Sequence, residues 1–285
     1  MRGKATINSY KLINILFREY TGGVIMNPIE VRNVKIGEGI PKVCLPIVGH
    51  TQYEITSQAM TIASLKPNIV EFRADWYDEC TNKENLIEML MLIRKLIDRI
   101  PLLFSFRTVV EGGMQKVERA EYVRINKTAI ESGLIDMVDI ELMIGDEYVK
   151  ELIEAAHENN VVVVMSNHDF EKTPEKEILL ERMEKMISLG ADIPKVAVMP
   201  NNNKDVLNLL DLTDTFHTKH PDYPIITMSM DGRGVVSRLA GEIFGSSVTF
   251  GCARKASAPG QIEAGELVFA LRILHSNLYH KEKIG

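Results

Sequence analysis

One lysine lies inside an apolar run of the sequence, where the folded chain has to bury it. Lys195 shares a strand face with Ile193 and Ala197 in the run 193–199, whose other residues are apolar. Lysine is almost never fully buried without a partner, and desolvation favours its neutral amine form. A neutral amine is what attack on a carbonyl requires. The pattern predicts an imine-forming lysine; the alternative is a lysine whose stem leads to solvent from the start of its strand.

A histidine and a glutamate follow two other apolar runs. His168 comes just after the run 161–166, and a ring that titrates near neutrality suits a general base. A surface histidine that caps the next helix is the alternative. Glu111 precedes Gly112 and Gly113, which allow a sharp turn and the close approach of a ligand. These residue types suit proton transfer, although each signal alone also fits an ordinary loop.

Three arginines and a second glutamate add charge at similar positions. Glu71 and Arg73 are two residues apart and therefore point to the same side of a strand, as ligand contacts or as a structural ion pair. Arg107 ends another apolar run and suits a ligand contact; the alternative is that it is a structural cation. Arg238 has the planar fork that can clamp a carboxylate, unless it is exposed on a helix.

Two further features suit the wall and the cover of a site. Met228 and Met230 share a strand face and would form an adaptable apolar wall, with ordinary core filling as the alternative. The segment 253–261 consists largely of small residues around Pro259 and Gly260, which suits a mobile lid. An inert surface loop has the same composition.

The elements that must position these residues alternate along the chain. Helix-length stretches with apolar residues at 3.6 spacing include 82–97, 118–131, 175–189 and 205–216. Between the helical stretches lie β-prone runs, at residues 42–48, 68–74, 102–107, 137–142, 161–166, 195–199, 225–230 and 247–251. Eight strand–helix units in this length favour a (β/α)₈ barrel, whose active site lies at the carboxyl ends of its strands. The candidate residues concentrate there.

Two neighbouring observations refine this fold. Alternating apolar residues at 29–31 and 34–36 predict a small β-hairpin ahead of the barrel, placed to plug its floor. The first strand is not followed by Gly-x-Gly-x-x-Gly, which argues against a dinucleotide-binding sheet. We expect one catalytic domain over residues 26–285. Residues 1–25 are expected to be a poorly ordered extension, with a short amphipathic docking helix as the alternative.

Composition limits the class of protein. The 285 residues are 45% hydrophobic and 25% charged, which suits a globular domain, and the net charge of −6 does not favour a nucleic-acid partner. The apolar runs are too short to span a membrane. Cys44, Cys80 and Cys252 are widely separated, so that neither a zinc site nor a disulfide framework is expected. This cysteine usage favours a reducing compartment, the cytoplasm.

The candidate residues occur in seven segments that resemble, in order, those of the type I 3-dehydroquinate dehydratase family. The resemblance covers about residues 30–275, and its segments are 71–75, 106–113, 166–170, 192–195, 228–230, 237–241 and 256–261. It implies a cofactor-free lyase that converts 3-dehydroquinate to 3-dehydroshikimate by syn elimination. The family commonly forms homodimers.

The resemblance also implies a role for each matching residue. Lys195 would form the imine, His168 would act as general base and acid, and Glu111 would orient that histidine. Arg238 would hold the substrate carboxylate. The remaining matches would contact or enclose the substrate: Glu71, Arg73, Arg107, Met228, Met230, Ser257 and Gln261.

One residue departs from the family pattern, and two rival functions stay open. Pro46 stands where other members carry a substrate-contacting serine, and proline offers no side-chain donor. A sugar-phosphate aldolase would also use an imine-forming lysine, but the segment 256–261 is a poor phosphate cradle. The second rival is a barrel that binds a small molecule without catalysis.

Overall fold

In a computed structural model, which describes residues 27–253 and 256–279, strands and helices alternate along most of the chain. The strands are β1 Ile29–Val31, β2 Val34–Ile36, β3 Lys42–Ile47, β4 Ile69–Arg73, β5 Leu102–Ser105, β6 Met137–Glu141, β7 Val162–Asp169, β8 Ile193–Val198, β9 Ile226–Ser229, β10 Val248–Cys252 and β11 Ile262–Glu263. The helices are α1 Gln52–Leu65, α2 Lys83–Ile97, α3 Arg119–Glu131, α4 Asp146–Glu158, α5 Lys176–Leu189, α6 Asn203–Lys219, α7 Val235–Leu239, α8 Gly241–Phe244 and α9 Ala264–Tyr279.

The main sheet is parallel and curls into a barrel. Its nine strands follow the order β11-β10-β3-β4-β5-β6-β7-β8-β9. A parallel bridge between Ile225 and Ser246, with the Ser247 amide donating to the Ile225 carbonyl at 2.8 Å, joins β9 to β10 and closes the circle. The predicted (β/α)₈ barrel is confirmed, and β11 is an additional short strand beside β10.

The N-terminal hairpin closes the barrel floor, as expected from its alternating pattern. Strands β1 and β2 pair in antiparallel fashion, with Val31 opposite Val34. Val31 and Ile36 are buried in the same cluster as Ile69 and Ile193, which begin β4 and β8. The apolar floor leaves the carboxyl ends of the strands as the place for polar residues.

Helix boundaries follow local capping chemistry. Helix α6 begins after Asn202, whose side chain accepts from the Asp205 amide while Asp205 bonds back to the Asn202 amide. Helix α5 ends at Gly190, whose φ of 107° few other residues adopt. No helix within the described ranges combines the length and apolarity needed to cross a bilayer.

Strand boundaries differ from the predicted ones by one to three residues, and two of these differences concern the site. Strand β7 continues to Asp169 because its backbone stays paired with β8, so His168 is a strand residue rather than a loop residue. Strand β5 stops at Ser105 because the Arg107 amide donates to the Asp75 side chain at 3.3 Å instead of to a strand. The expected boundary of the extension at residue 25 lies outside the described residues.

Candidate active site

A cavity with about 430 Å³ of empty space opens at the carboxyl ends of the barrel strands. Ten of the eleven predicted site residues line it: Glu71, Arg73, Arg107, Glu111, His168, Lys195, Met228, Met230, Ser257 and Gln261. The parallel strands bring together residues that are up to 190 positions apart in the sequence, from Glu71 to Gln261.

Lys195 points into the barrel from the third position of β8. It is only 3% exposed, which rules out the alternative of a lysine that reaches solvent. Its surroundings are not purely apolar, because Nζ donates to Asp139 Oδ2 at 2.8 Å. The Phe250 ring lies on another side, with its centroid 4.7 Å from Nζ. The lysine is therefore held between a carboxylate and an aromatic face.

Asp139 connects Lys195 to a second cation. Its Oδ2 atom also lies 2.9 Å from Arg107 NH2, and its Oδ1 atom accepts from Ser166 Oγ. Burial disfavours the carboxylate form, yet Arg107 and Lys195 together hold the pKa of Asp139 well below its usual range. Asp139 is therefore an ionised carboxylate shared by two buried cations.

His168 and Glu111 form a hydrogen-bonded pair beside this cluster. His168 Nδ1 lies 2.9 Å from Glu111 Oε2, and the same oxygen accepts from the His168 amide at 2.9 Å. Burial lowers the pKa of His168 well below its ordinary value, and the charges of Arg107 and Lys195 act in the same direction. The ring is thus neutral, and Nε2 is the nitrogen that remains to take a proton from a ligand.

Glu111 is placed where a negative charge is costly. Burial, with a smaller effect of the neighbouring Glu141, raises its pKa to about 8 against the opposing effect of Arg107. Asn167 Nδ2 donates to Glu111 Oε1 at 3.1 Å and helps to fix the side chain. Glu111 therefore gains or loses a proton in the pH range in which most enzymes work.

The two glycines after Glu111 are required by packing. Gly112 has φ of 83°, and a Cβ atom there would lie 2.4 Å from the Phe170 ring. A Cβ atom on Gly113 would lie 1.8 Å from the Arg107 carbonyl oxygen. The predicted sharp turn is present, but protein atoms rather than a ligand make the close approach.

Glu71 and Arg73 do not pair with each other, so the alternative of a structural ion pair between them is wrong. Arg73 forms a two-pronged pair with Asp75, at 2.7 Å from Nε to Oδ1 and 2.8 Å from NH2 to Oδ2. Glu71 accepts from Ser105 Oγ at 2.8 Å. Both side chains keep part of their surface on the cavity.

Arg238 is the predicted site residue that does not line the cavity. It is 1% exposed and lies behind Met228, with NH1 at 3.6 Å from the Met228 sulfur and NH2 at 2.9 Å from the Pro259 carbonyl. Burial lowers its pKa to about 10, so it remains charged at neutral pH. Among the described residues it has no carboxylate partner, and its Nε has no hydrogen bond. Its hydrogen-bond acceptors are uncharged, namely the Met228 sulfur and the Phe250 and Pro259 carbonyls.

The predicted lid residues contact each other over the cavity. The Ser257 amide donates to Gln261 Oε1 at 2.8 Å, and Gln261 Nε2 donates to Ser257 Oγ at 3.0 Å. Arg73 NH1 reaches the Ser257 carbonyl at 3.5 Å. The polar ends of both side chains are thus available at the mouth of the site.

Sequence reasoning missed three residues at the centre of the site. Asp139 and Ser166 belong to the network around Lys195, and Phe250 covers the lysine. A signal for Asp139 existed, because a carboxylate stands in the run 137–142 that was predicted to be a buried strand. In the described part of the chain, no group of three or more His, Cys, Asp or Glu side chains is arranged to hold a metal ion.

Comparison with known proteins gives consistent matches over most of the chain. A 3-dehydroquinate dehydratase of Clostridium botulinum is 49% identical over 250 residues, which cover 88% of this chain and 98% of that protein. One from Bacillus subtilis is 48% identical over 252 residues, covering 88% and 99%.

A solved structure agrees with these sequences in fold. The crystal structure of type I 3-dehydroquinate dehydratase from Clostridium difficile with covalently modified comenic acid has a TM-score of 0.86 and 47% identity. The match covers 89% of this chain and 99% of that one. The model of the family described as type I 3-dehydroquinase matches residues 43–278. With this sequence match and this fold, the chain belongs to the type I 3-dehydroquinase family.

Proposed function

We propose that the protein converts 3-dehydroquinate to 3-dehydroshikimate and water through an imine on Lys195. One observation carries the proposal: a lysine amine and a carboxylate-bound imidazole face one cavity from the neighbouring strands β8 and β7. The amine suits covalent attack on a ketone, and the imidazole suits proton transfer at the adjacent carbon.

Imine formation is the first chemical step. The nitrogen of Lys195 bonds to C3 of the substrate, two of its three ammonium protons pass to the ketone oxygen, and that oxygen leaves as water while the third proton stays on the nitrogen. The protonated C=N bond then withdraws electrons from C2. The Asp139 carboxylate and the Phe250 ring both contact the nitrogen, which supports a fixed direction of attack.

In the elimination step, His168 is the base. Neutral His168 takes the C2 proton through Nε2, and the C–H electrons move into the imine to give an enamine. The enamine electrons return to form the C1–C2 double bond as the C1 hydroxyl leaves with the proton held by His168. One base can serve both steps because proton and hydroxyl leave from the same face. Water then hydrolyses the imine and frees Lys195.

Substrate orientation is proposed to depend on charge and shape. Arg238 is the buried cation without a carboxylate partner among the described residues, which supports a role in holding the substrate carboxylate. Ser257 and Gln261 would exchange their mutual hydrogen bonds for contacts with ring hydroxyls. The remaining lining residues would complete the fit, with Met228 and Met230 as the apolar wall and Glu71, Arg73 and Arg107 as polar contacts.

The wider role of the protein is proposed along with this chemistry. The reaction needs no cofactor in this mechanism, because the protonated imine is the electron sink. A place in the shikimate pathway to chorismate and the aromatic amino acids follows from the substrate. We also propose a cytoplasmic homodimer, which fits the family and the absence of a disulfide pattern. Light scattering of the purified chain tests the dimer.

The test of the proposal combines product detection with covalent trapping. Purified protein mixed with 3-dehydroquinate should produce the ultraviolet absorbance of the conjugated product. Borohydride added during turnover should reduce the imine to a stable amine on Lys195, located by peptide mass spectrometry. An adduct on Lys42 or Lys255 would contradict the assignment. Activity on phosphorylated aldehydes but not on 3-dehydroquinate would favour an aldolase.

A further inference from the structure

A buried carboxylate below the cavity is shared by two cations that line the cavity, Lys195 and Arg107. Asp139 does not line the cavity, and its side chain is 0% exposed. Its Oδ2 atom lies 2.8 Å from Lys195 Nζ and 2.9 Å from Arg107 NH2. It can therefore act on a bound substrate only through those neighbours.

We propose that Asp139 is a positioning residue that aims the Lys195 nitrogen at the substrate and remains its counterion when that nitrogen is a protonated imine. The inference rests on the proposed imine mechanism and adds a residue to it. It assigns Asp139 no contact with the substrate.

The geometry fixes the carboxylate on every side. Asp139 stands in the middle of β6, where its backbone is paired with Ser105 on β5 and Val164 on β7. Its Oδ1 atom accepts from Ser166 Oγ, so the carboxylate cannot rotate without losing that bond. The direction of the Lys195 stem is thereby set by a group that is itself held by backbone pairing. A fixed amine is what efficient attack on a ketone requires.

Charge gives the second part of the argument. Arg107 is permanently charged and would otherwise repel a cationic nitrogen on Lys195, since both side chains are buried. An unprotonated imine is a far poorer electron sink than a protonated one. The protonated imine keeps one N–H bond, and directing it at Asp139 Oδ2 leaves the C=N carbon facing the cavity. The carboxylate thus offsets Arg107 and keeps the imine in its reactive form.

The other charged and titratable groups around Lys195 come from each neighbouring strand. These groups are Cys44 on β3, Glu71 and Arg73 on β4, Arg107 and Glu111 after β5, Glu141 on β6 and His168 on β7. Of these, Cys44 and His168 are neutral, because burial raises the pKa of Cys44 and lowers that of His168. Asp139 is the carboxylate that hydrogen-bonds Nζ among the residues described.

The decisive variant is Asp139→Asn, and the chain offers a matched control. Asp136 lies three residues earlier and also bridges two arginines, Arg32 and Arg94, each at 2.7 Å. It does so at the floor of the barrel, away from the cavity. Asp136→Asn therefore makes the same chemical change to an equally paired carboxylate and should preserve the chemistry at Lys195.

Two measurements compare the variants. The first is carbamylation of Lys195 by cyanate as a function of pH, read by peptide mass spectrometry, because cyanate reacts with a neutral amine. Asp139→Asn should shift the midpoint down by about one pH unit or more, since a close opposite charge typically shifts a titration by 1–3 units. The second is turnover of 3-dehydroquinate, in which kcat should fall about tenfold or more while KM changes less. If either quantity in Asp139→Asn equals that in Asp136→Asn, the proposal is overturned.

A measurement on the unaltered chain covers the case in which Asp139→Asn does not fold. In a crystal structure of the borohydride-reduced complex, Lys195 Nζ should still lie within about 3.2 Å of Asp139 Oδ2. A nitrogen turned away from that oxygen would overturn the inference. Failure of the proposed function and failure of the Asp139 role can also be told apart. If no adduct forms on Lys195 at all, the proposed function fails, whereas the cyanate midpoint tests the pairing without any substrate.

Discussion

Replacing Glu111 by glutamine should stabilise the protein at alkaline pH but not at acid pH. The pKa of Glu111 is raised from 4.5 to about 8 by burial and by Glu141. A carboxyl group whose pKa is higher in the folded state binds its proton more tightly there than in the unfolded chain. Its contribution favours folding below about pH 4.5 and is lost progressively as the pH rises towards about 8.

The size of the effect follows from that shift. Each pKa unit corresponds to about 1.4 kcal/mol, and most of the raised interval lies between pH 5 and pH 8. Over this range the native chain should lose about 3 kcal/mol of unfolding free energy relative to Glu111→Gln. Glutamine can accept from the His168 amide as Glu111 Oε2 does, but its amide group would face the Asn167 donor. That mismatch costs about 1 kcal/mol at every pH and does not change the slope.

The assay is urea unfolding of both proteins at pH 5 and pH 8, followed by circular dichroism. Glu171→Gln, at an exposed carboxyl group, is the control and should leave the difference between the two pH values unchanged. If Glu111→Gln changes the free energy of unfolding by the same amount at both pH values, the reasoning from burial is refuted.

Three other outcomes are expected. His168→Ala should lower turnover about 10²–10⁴-fold and still accumulate a Lys195 adduct, seen by intact-protein mass spectrometry; near-normal turnover would remove the histidine from the mechanism. Arg238→Met should raise KM for 3-dehydroquinate about tenfold or more and leave trapping at saturating substrate intact; an unchanged KM in steady-state assays would contradict the carboxylate contact. Dialysis against a strong chelator should leave activity unchanged, and a loss restored by a divalent ion would contradict the cofactor-free mechanism.

Strand–helix alternation was enough to predict the barrel, whereas the cavity lining was predicted from polar residues at strand ends and from the family resemblance. Residues such as Lys195 and Arg107 could be found because a charge at the end or inside of an apolar run is unusual. Parallel strands end at one rim, so candidates from distant segments had to converge. The hairpin at the floor was predictable for a similar reason, since its alternating Val31 and Ile36 need an apolar partner.

The partners of the charged residues could not be read from the sequence. Spacing suggested that Glu71 faces Arg73, but the turn after β4 brings Asp75 back onto Arg73 instead. The pairing of Asp139 with Lys195 depends on the stagger between β6 and β8, two strands that are not adjacent in the sheet. The predicted end of β7 was also too early. A run of polar residues is typical of a loop, and only the pairing with β8 shows that these residues belong to a strand.

The bridge between β9 and β10 that closes the barrel separates the site residues into two groups by their position in the chain. Strands β3 to β8 pair in sequence and already contain Asp139, His168 and Lys195. Phe250 belongs to β10, which also pairs with β3, and Arg238 belongs to α7, which lies between β9 and β10 in the chain. The contact of Ile225 with Ser246 and Ser247 joins these last strands and brings Phe250 round to Lys195. With this seam open, the amine of Lys195 would lack its aromatic neighbour, so the contact that closes the barrel is also the one that completes the surroundings of that amine.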